Sequence, residues 1–194
     1  KAQFSEFDFD LKKLNQVDGK ISYTLIDTIQ NIPKDRLHSL LLEWVAVNFK
    51  SATNVIKLND KEAGKIIVKG LSEEFYTFRV LGGDAVAKYY QHFTIDFTAK
   101  ENRYRVIITD FELDKPATYS KYGGSPAIKG SIDGYYASIP KEYDWEKLKR
   151  PERLSINISK NVLKNTYSSS INTLQSIKDF IRKNANKTDK KDEF

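Results

Sequence analysis

Apolar side chains recur along this chain at two different periods. From Lys20, Ile21, Tyr23 and Leu25 alternate with Ser22, Thr24 and Ile26, a β-branched and aromatic mixture that predicts a strand. Leu37, Leu40, Leu41, Trp44 and Val45 then fall at i, i+3, i+4, i+7 and i+8, predicting a helix over 33–49 that buries one face. Pro33 suits its first turn, where a missing N–H is no loss, and Asp35 lies near the positive end of the helix dipole. After Ser51 the period falls to two: runs at 54–58 and 65–69 flank the turn-forming residues Asn59 to Gly64, which reads as a hairpin. A further run, Phe75 to Val80, ends at Gly82-Gly83. Tyr89, Phe93, Ile95 and Phe97 lie mostly on one face of the next strand, Lys100-Glu101-Asn102 turns the chain, and Arg103 to Thr109 returns. The helical period resumes after Ser155, where Leu163, Tyr167, Ile171, Leu174, Ile177, Phe180 and Ile181 form one stripe; a long helix over 158–184, laid across the sheet, is expected. The order is that of an α+β fold: strand, helix, a meander of antiparallel strands and a long C-terminal helix.

Between strands and terminal helix the pattern lapses. Residues 114–150 hold three of the five prolines, Gly123, Gly124, Gly130 and Gly134, and Tyr119, Tyr122, Tyr135, Tyr136, Tyr143 and Trp145. This reads as a long structured loop or irregular excursion, because six aromatic rings argue against disorder and unpatterned connections of this length tend to be functional. The expected organisation is an extended arm over 1–19 that packs through Phe4, Phe7, Phe9, Leu11 and Leu14, an α+β domain over 20–113, the excursion over 114–153, the amphipathic helix over 154–186 and a frayed tail over 187–194.

Composition narrows the chemistry more than it names it. The 194 residues include no cysteine, which removes disulfides, thiolate zinc sites, iron–sulfur clusters and thiol catalysis, and only two histidines, His38 and His92. Neither histidine has a partner motif, and ordinary surface or packing roles are expected. The net charge is +6. Residues 1–140 carry 19 basic and 18 acidic side chains and residues 141–194 carry 13 and 8, so the excess sits in a terminal stretch that interleaves both signs rather than in an ordered basic stripe; nucleic acid is not an expected partner. No run approaches the roughly 20 apolar residues of a membrane span. Methionine is absent, including at position 1, and a secretory signal removed on export and a chain trimmed at the same place both fit a start at Lys1-Ala2-Gln3. Export is the expectation: periplasmic, or at the cell surface if a lipidated residue lies upstream.

Leu42 to Ser51, followed by Val55-Ile56-Lys57-Leu58 and Asp60 to Ile67, resembles the domain of unknown function 4468, a family of TBP-like fold found chiefly in exported proteins of gut Bacteroidetes; Arg103 to Phe111 is similar to that family's last-strand signature. The resemblance covers Lys20 to Leu113. It implies a helix packed on one face of a curved antiparallel sheet, and no activity. The fold name does not carry DNA binding, since fold alone does not carry function, and TBP-type binding needs two saddle-forming halves, basic phosphate contacts and apolar wedges, of which one nearly neutral half is visible.

Candidate chemistry is sparse. Asp110, Glu112 and Asp114 alternate along a strand and Asp84 follows the Gly-Gly turn, so a hydrolase could draw two carboxylates from this set, or calcium its oxygen ligands; charged residues finishing an exposed strand is the plainer reading. Ser168 to Ser170 lack a nucleophile-elbow or Ser-x-x-Lys context, and Lys61-Glu62-Ala63-Gly64-Lys65 lacks phosphate-loop spacing. No catalytic residue, metal or cofactor is assigned. Tyr and Trp present a flat apolar face with a polar tip, as recognition surfaces do. The leading expectation is therefore a noncatalytic, exported binding or envelope-associated module that recognises a glycan, peptide or partner protein through Tyr119, Tyr122, Tyr135, Tyr136, Tyr143 and Trp145. A carboxylate hydrolase and an apolar-ligand carrier are the alternatives.

Overall fold

The structure, a computed structural model, describes residues 5–80, 83–120 and 123–185; the expected tail over 187–194 and Tyr122 lie outside them. A single 3-10 turn at Leu11–Lys13 leads to β1 (Gln16–Val17) and β2 (Lys20–Ile21), then β3 (Tyr23–Thr28), α1 (Lys34–Asn48), α2 (Ala52–Val55), β4 (Ile56–Asp60), β5 (Lys65–Val80), β6 (Gly83–Lys100) and β7 (Arg103–Lys115). After them come β8 (Thr118–Ser120), β9 (Gly123–Ser125), β10 (Ile128–Ser131), α3 (Ile132–Ala137), a 3-10 turn at Trp145–Lys147 and α4 (Arg150–Asn184). The main sheet runs β10-β7-β6-β5-β4, with β3 also paired to β7, and the pairings β3–β7, β4–β5 and β10–β7 are antiparallel. The α+β architecture with a long C-terminal helix is as the patterning predicts.

Two compact units share the chain, one built from residues up to 22, 71–93 and 110–169, the other from 23–70, 94–109 and 170 onward. β5, β6, β7 and α4 each contribute a part to both. In the second unit, Leu37, Leu40, Leu41, Trp44 and Val45 of α1 are buried, as their spacing requires, alongside Ile66, Val68, Ile95, Phe97, Val106 and Ile108 of the sheet. Trp44 is 3% exposed; its ring meets Phe97 edge-on at 6.0 Å and its indole N–H donates to Ser176 Oγ at 3.1 Å. His38, which the helical spacing does not select, is buried with Nε2 unpaired, and desolvation lowers its pKa. Gly64 closes the β4–β5 turn at φ +67, where a Cβ would stand 2.4 Å from the Ala99 carbonyl oxygen.

Several boundaries differ from the pattern. The runs at 65–69 and 75–80 are one strand, β5, since Gly70 interrupts the alternation without ending the hydrogen-bonded ladder. The four residues 52–55 form α2, so β4 begins at Ile56. β7 continues to Lys115: its buried positions change parity from Tyr104, Val106 and Ile108 to Phe111, Leu113 and Lys115 at Asp110, whose φ of 53° marks an inserted residue of the bulge type. The stretch expected as an irregular excursion holds β8, β9, β10 and α3; its short, glycine-bearing strands are too brief to show a period, yet β10 finds β7, and Ser131 caps α3 by accepting from Gly134 N–H at 3.1 Å. α4 begins eight residues before the predicted start at 158, at Arg150-Pro151, with Glu152 accepting from Lys149 N–H at 2.7 Å. Ile171, expected on the buried stripe, is 41% exposed, because the inward line of α4 runs through the polar Thr166 and Ser170.

Candidate functional site

The N-terminal arm is extended because a single side chain supplies the pairing a neighbouring strand would. Asn157, in the first unit's portion of α4, accepts from Phe7 N–H through Oδ1 at 2.8 Å and donates from Nδ2 to the Ser5 carbonyl at 2.9 Å. Beside this clamp, the Lys160 ammonium and the Tyr143 hydroxyl both bond the Glu6 carboxylate. Burial alone would raise the Glu6 carboxyl; the hydrogen bonds from Lys160 and Tyr143 and the ammonium charge outweigh it and hold the group below its ordinary value. Phe7 lies under the Lys164 ammonium, 5.3 Å from the ring centre, and Phe9 packs against Tyr167. The arm is thus fixed by an amide, an ion pair and two rings.

Fixing the arm leaves a cleft of about 530 Å³ along it, lined by Glu6, Phe7, Asp8, Phe78, Asp84 and Asn161 among others. Asn161 lies one helical turn beyond Asn157, hence on the same face of α4. It is only 9% exposed, and its amide makes no hydrogen bond with any described residue, while neither of its polar atoms is sealed from solvent. One turn further, Asn165 donates to the Phe75 carbonyl at 2.6 Å and to the Tyr89 hydroxyl at 3.3 Å. The three asparagines at i, i+4 and i+8 are a signal the sequence contained. Asn is a poor helix former, its side chain competing for the backbone's hydrogen bonds, so its repetition on one helical face marks a use for the amide.

The predicted recognition residues lie mostly elsewhere. Tyr119 sits in β8, opposite Gly124. Tyr135 and Tyr136 are half-buried on α3, burial raising the Tyr135 hydroxyl. Tyr143 serves the arm through Glu6, and the Trp145 ring is covered by the Arg153 guanidinium at 5.4 Å. Tyr143 adjoins the cleft by way of Glu6.

The candidate carboxylates are divided. Asp84 lines the arm cleft, whereas Glu112 and Asp114 line a smaller groove with His92 and Lys129, where Asp114 pairs with Lys129 at 3.3 Å. Asp110 pairs with Lys20 at 3.1 Å in open solvent. Among the described residues no group of three His, Asp or Glu side chains could hold a metal ion, and no helix is long and apolar enough to cross a membrane.

A family model described as domain of unknown function (DUF4468) with TBP-like fold matches residues 23–114. No curated protein matches the chain. Among solved structures, a DUF4468 family protein from Bacteroides ovatus superposes with a TM-score of 0.60 at 12% identity, covering 92% of this chain and 95% of its own. A TBP-like protein from Parabacteroides distasonis gives 0.49 at 15% identity, covering 84% and 97%. At 12% identity the first likeness is one of fold.

Proposed function

For a chain whose residues 23–114 belong to the DUF4468 family with TBP-like fold, we propose a noncatalytic, exported binding module whose arm cleft takes a neutral glycan. The observation that carries the reading is Asn161: a nearly buried amide without a protein partner, opening on a cleft that also offers two aromatic rings and two carboxylates. Sugar hydroxyls donate and accept at once. An amide answers both roles, Asp8 and Asp84 accept, and the rings of Phe7 and Phe78 suit the apolar C–H face of a pyranose. This density of polar groups suits a polyol better than an apolar cargo. The hydrolase alternative has less support, because Asp84 stands apart from Glu112 and Asp114, and Asp114 is already neutralised by Lys129. The exported setting is proposed on the family's occurrence chiefly in exported proteins.

The test is a protein-observed NMR titration with a panel of neutral mono- and oligosaccharides. Binding that perturbs the Phe7 and Phe78 signals and weakens at least tenfold in Asn161→Ala and Phe78→Ala supports the reading. Failure of every sugar, or binding indifferent to both substitutions in folded protein, overturns it.

A further inference from the structure

A second site lies in the other unit, on the face of β3, β6 and β7 opposite the buried Tyr104, Val106 and Ile108. A groove of about 220 Å³ there is lined by Ile26, Thr98, Lys100, Arg103 and Arg105 together with Tyr104. Ile26 faces Arg105 across the β3–β7 ladder and Thr28 faces Arg103. The two-residue turn Glu101-Asn102 between β6 and β7 sets Lys100 across from Arg103 in turn. Three cations therefore occupy two adjacent rungs of one sheet face, where like charges set opposite each other destabilise the sheet.

Nothing among the described residues relieves that repulsion. None of the three cations has an ion pair among the described residues; the one hydrogen bond there between their side chains and the groove wall is Arg105 Nη2 donating to Thr98 Oγ1 at 3.5 Å. The acids that flank the groove are committed elsewhere: Glu101 accepts from Lys34 N–H at 3.1 Å, Asp96 pairs with Lys65 at 3.2 Å, and Asp27 is held by Arg182 at 2.8 Å. Ile26 adds an apolar ledge, 66% exposed.

We propose that this groove is an anion site for the phosphate monoester of a small organic molecule. Two guanidinium forks and an ammonium match the charge and the several acceptor oxygens of a phosphate dianion better than those of a lone carboxylate. The ledge receives the body that carries the phosphate. An extended polyanion fits less well, since the next rung of the face carries the Lys65–Asp96 pair, which is already neutral.

The experiment is a titration of the amide NMR spectrum at low ionic strength with glucose 6-phosphate, inorganic phosphate, phosphatidylcholine vesicles doped with phosphatidate, and a short DNA duplex. Saturable shifts at Ile26, Arg103 and Arg105 with glucose 6-phosphate, reproduced more weakly by inorganic phosphate and reduced at least tenfold in Arg103→Gln and Arg105→Gln, are the expected result. Absence of saturation, shifts confined to other residues, unchanged affinity in both variants, or binding to vesicles or DNA without binding to glucose 6-phosphate overturns the proposal. The wild-type shift map decides the matter even if a variant folds poorly.

Discussion

Replacing Asn157 by Ala tests whether one amide holds the arm that forms the cleft. The substitution removes two hydrogen bonds, to Phe7 N–H at 2.8 Å and from Nδ2 to the Ser5 carbonyl at 2.9 Å. Each contributes about 1 kcal/mol net in a partly buried setting, so the arm loses about 2 kcal/mol, or roughly a 30-fold increase in its opening. The same change replaces a poor helix former by the best one, worth up to about 0.7 kcal/mol to α4. Local and global effects should therefore share a sign and differ in size, because global unfolding also releases the arm but regains the helix propensity. Hydrogen exchange and chemical denaturation resolve them: the Phe7 amide should exchange about 30-fold faster, while the unfolding free energy falls by only about 1.3 kcal/mol. Asn157→Asp keeps the acceptor for Phe7 and loses the donor to Ser5, and should give about a fivefold acceleration. Unaltered Phe7 exchange in the alanine variant, or an acceleration of the same size at the core amides of the sheet, would refute the clamp and with it the cleft's fixed wall.

Two further outcomes follow from the second unit. Trp44→Ala should cost about 3–5 kcal/mol in urea unfolding followed by circular dichroism, the buried indole leaving a cavity beside Phe97; a loss below about 1 kcal/mol would mean that α1 does not depend on this ring. Asp27 is buried, which alone would raise its pKa, yet the bidentate Arg182 holds it below its ordinary 3.8. A carboxyl depressed on folding adds stability that is present above 3.8 and lost as pH falls through the lower folded value. The stability advantage of wild type over Asp27→Asn should accordingly be constant near neutrality and shrink below pH 3.8; an advantage that grows on acidification would reverse the assignment.

The core of the second unit was legible because each buried face has a fixed period: α1 buries the five residues its 3.6-residue repeat selects, and β3 alternates as written. The arm cleft was less legible. Its rings and acids come from stretches far apart in the chain, and no local pattern marks Asn161 as unpaired where Asn157 and Asn165 are bonded. Aromatic residues serve packing and recognition alike. Tyr143 and Trp145 are held by Glu6 and Arg153, a fact carried by no local pattern.

By itself, then, the sequence determined the classes of element, their order and which faces turn inward, since burial of apolar area acts residue by residue on a known repeat. Tertiary structure decided what depends on pairs distant along the chain: that Gly70 does not end β5, that Asp110 reverses the parity of β7, that polar Thr166 and Ser170 lie inward where Ile171 does not, and that Asn161 opens on a cleft while Asn157 is spent on the arm. A hydrogen bond or an ion pair requires two partners at one place, and only the folded chain fixes where the second one stands.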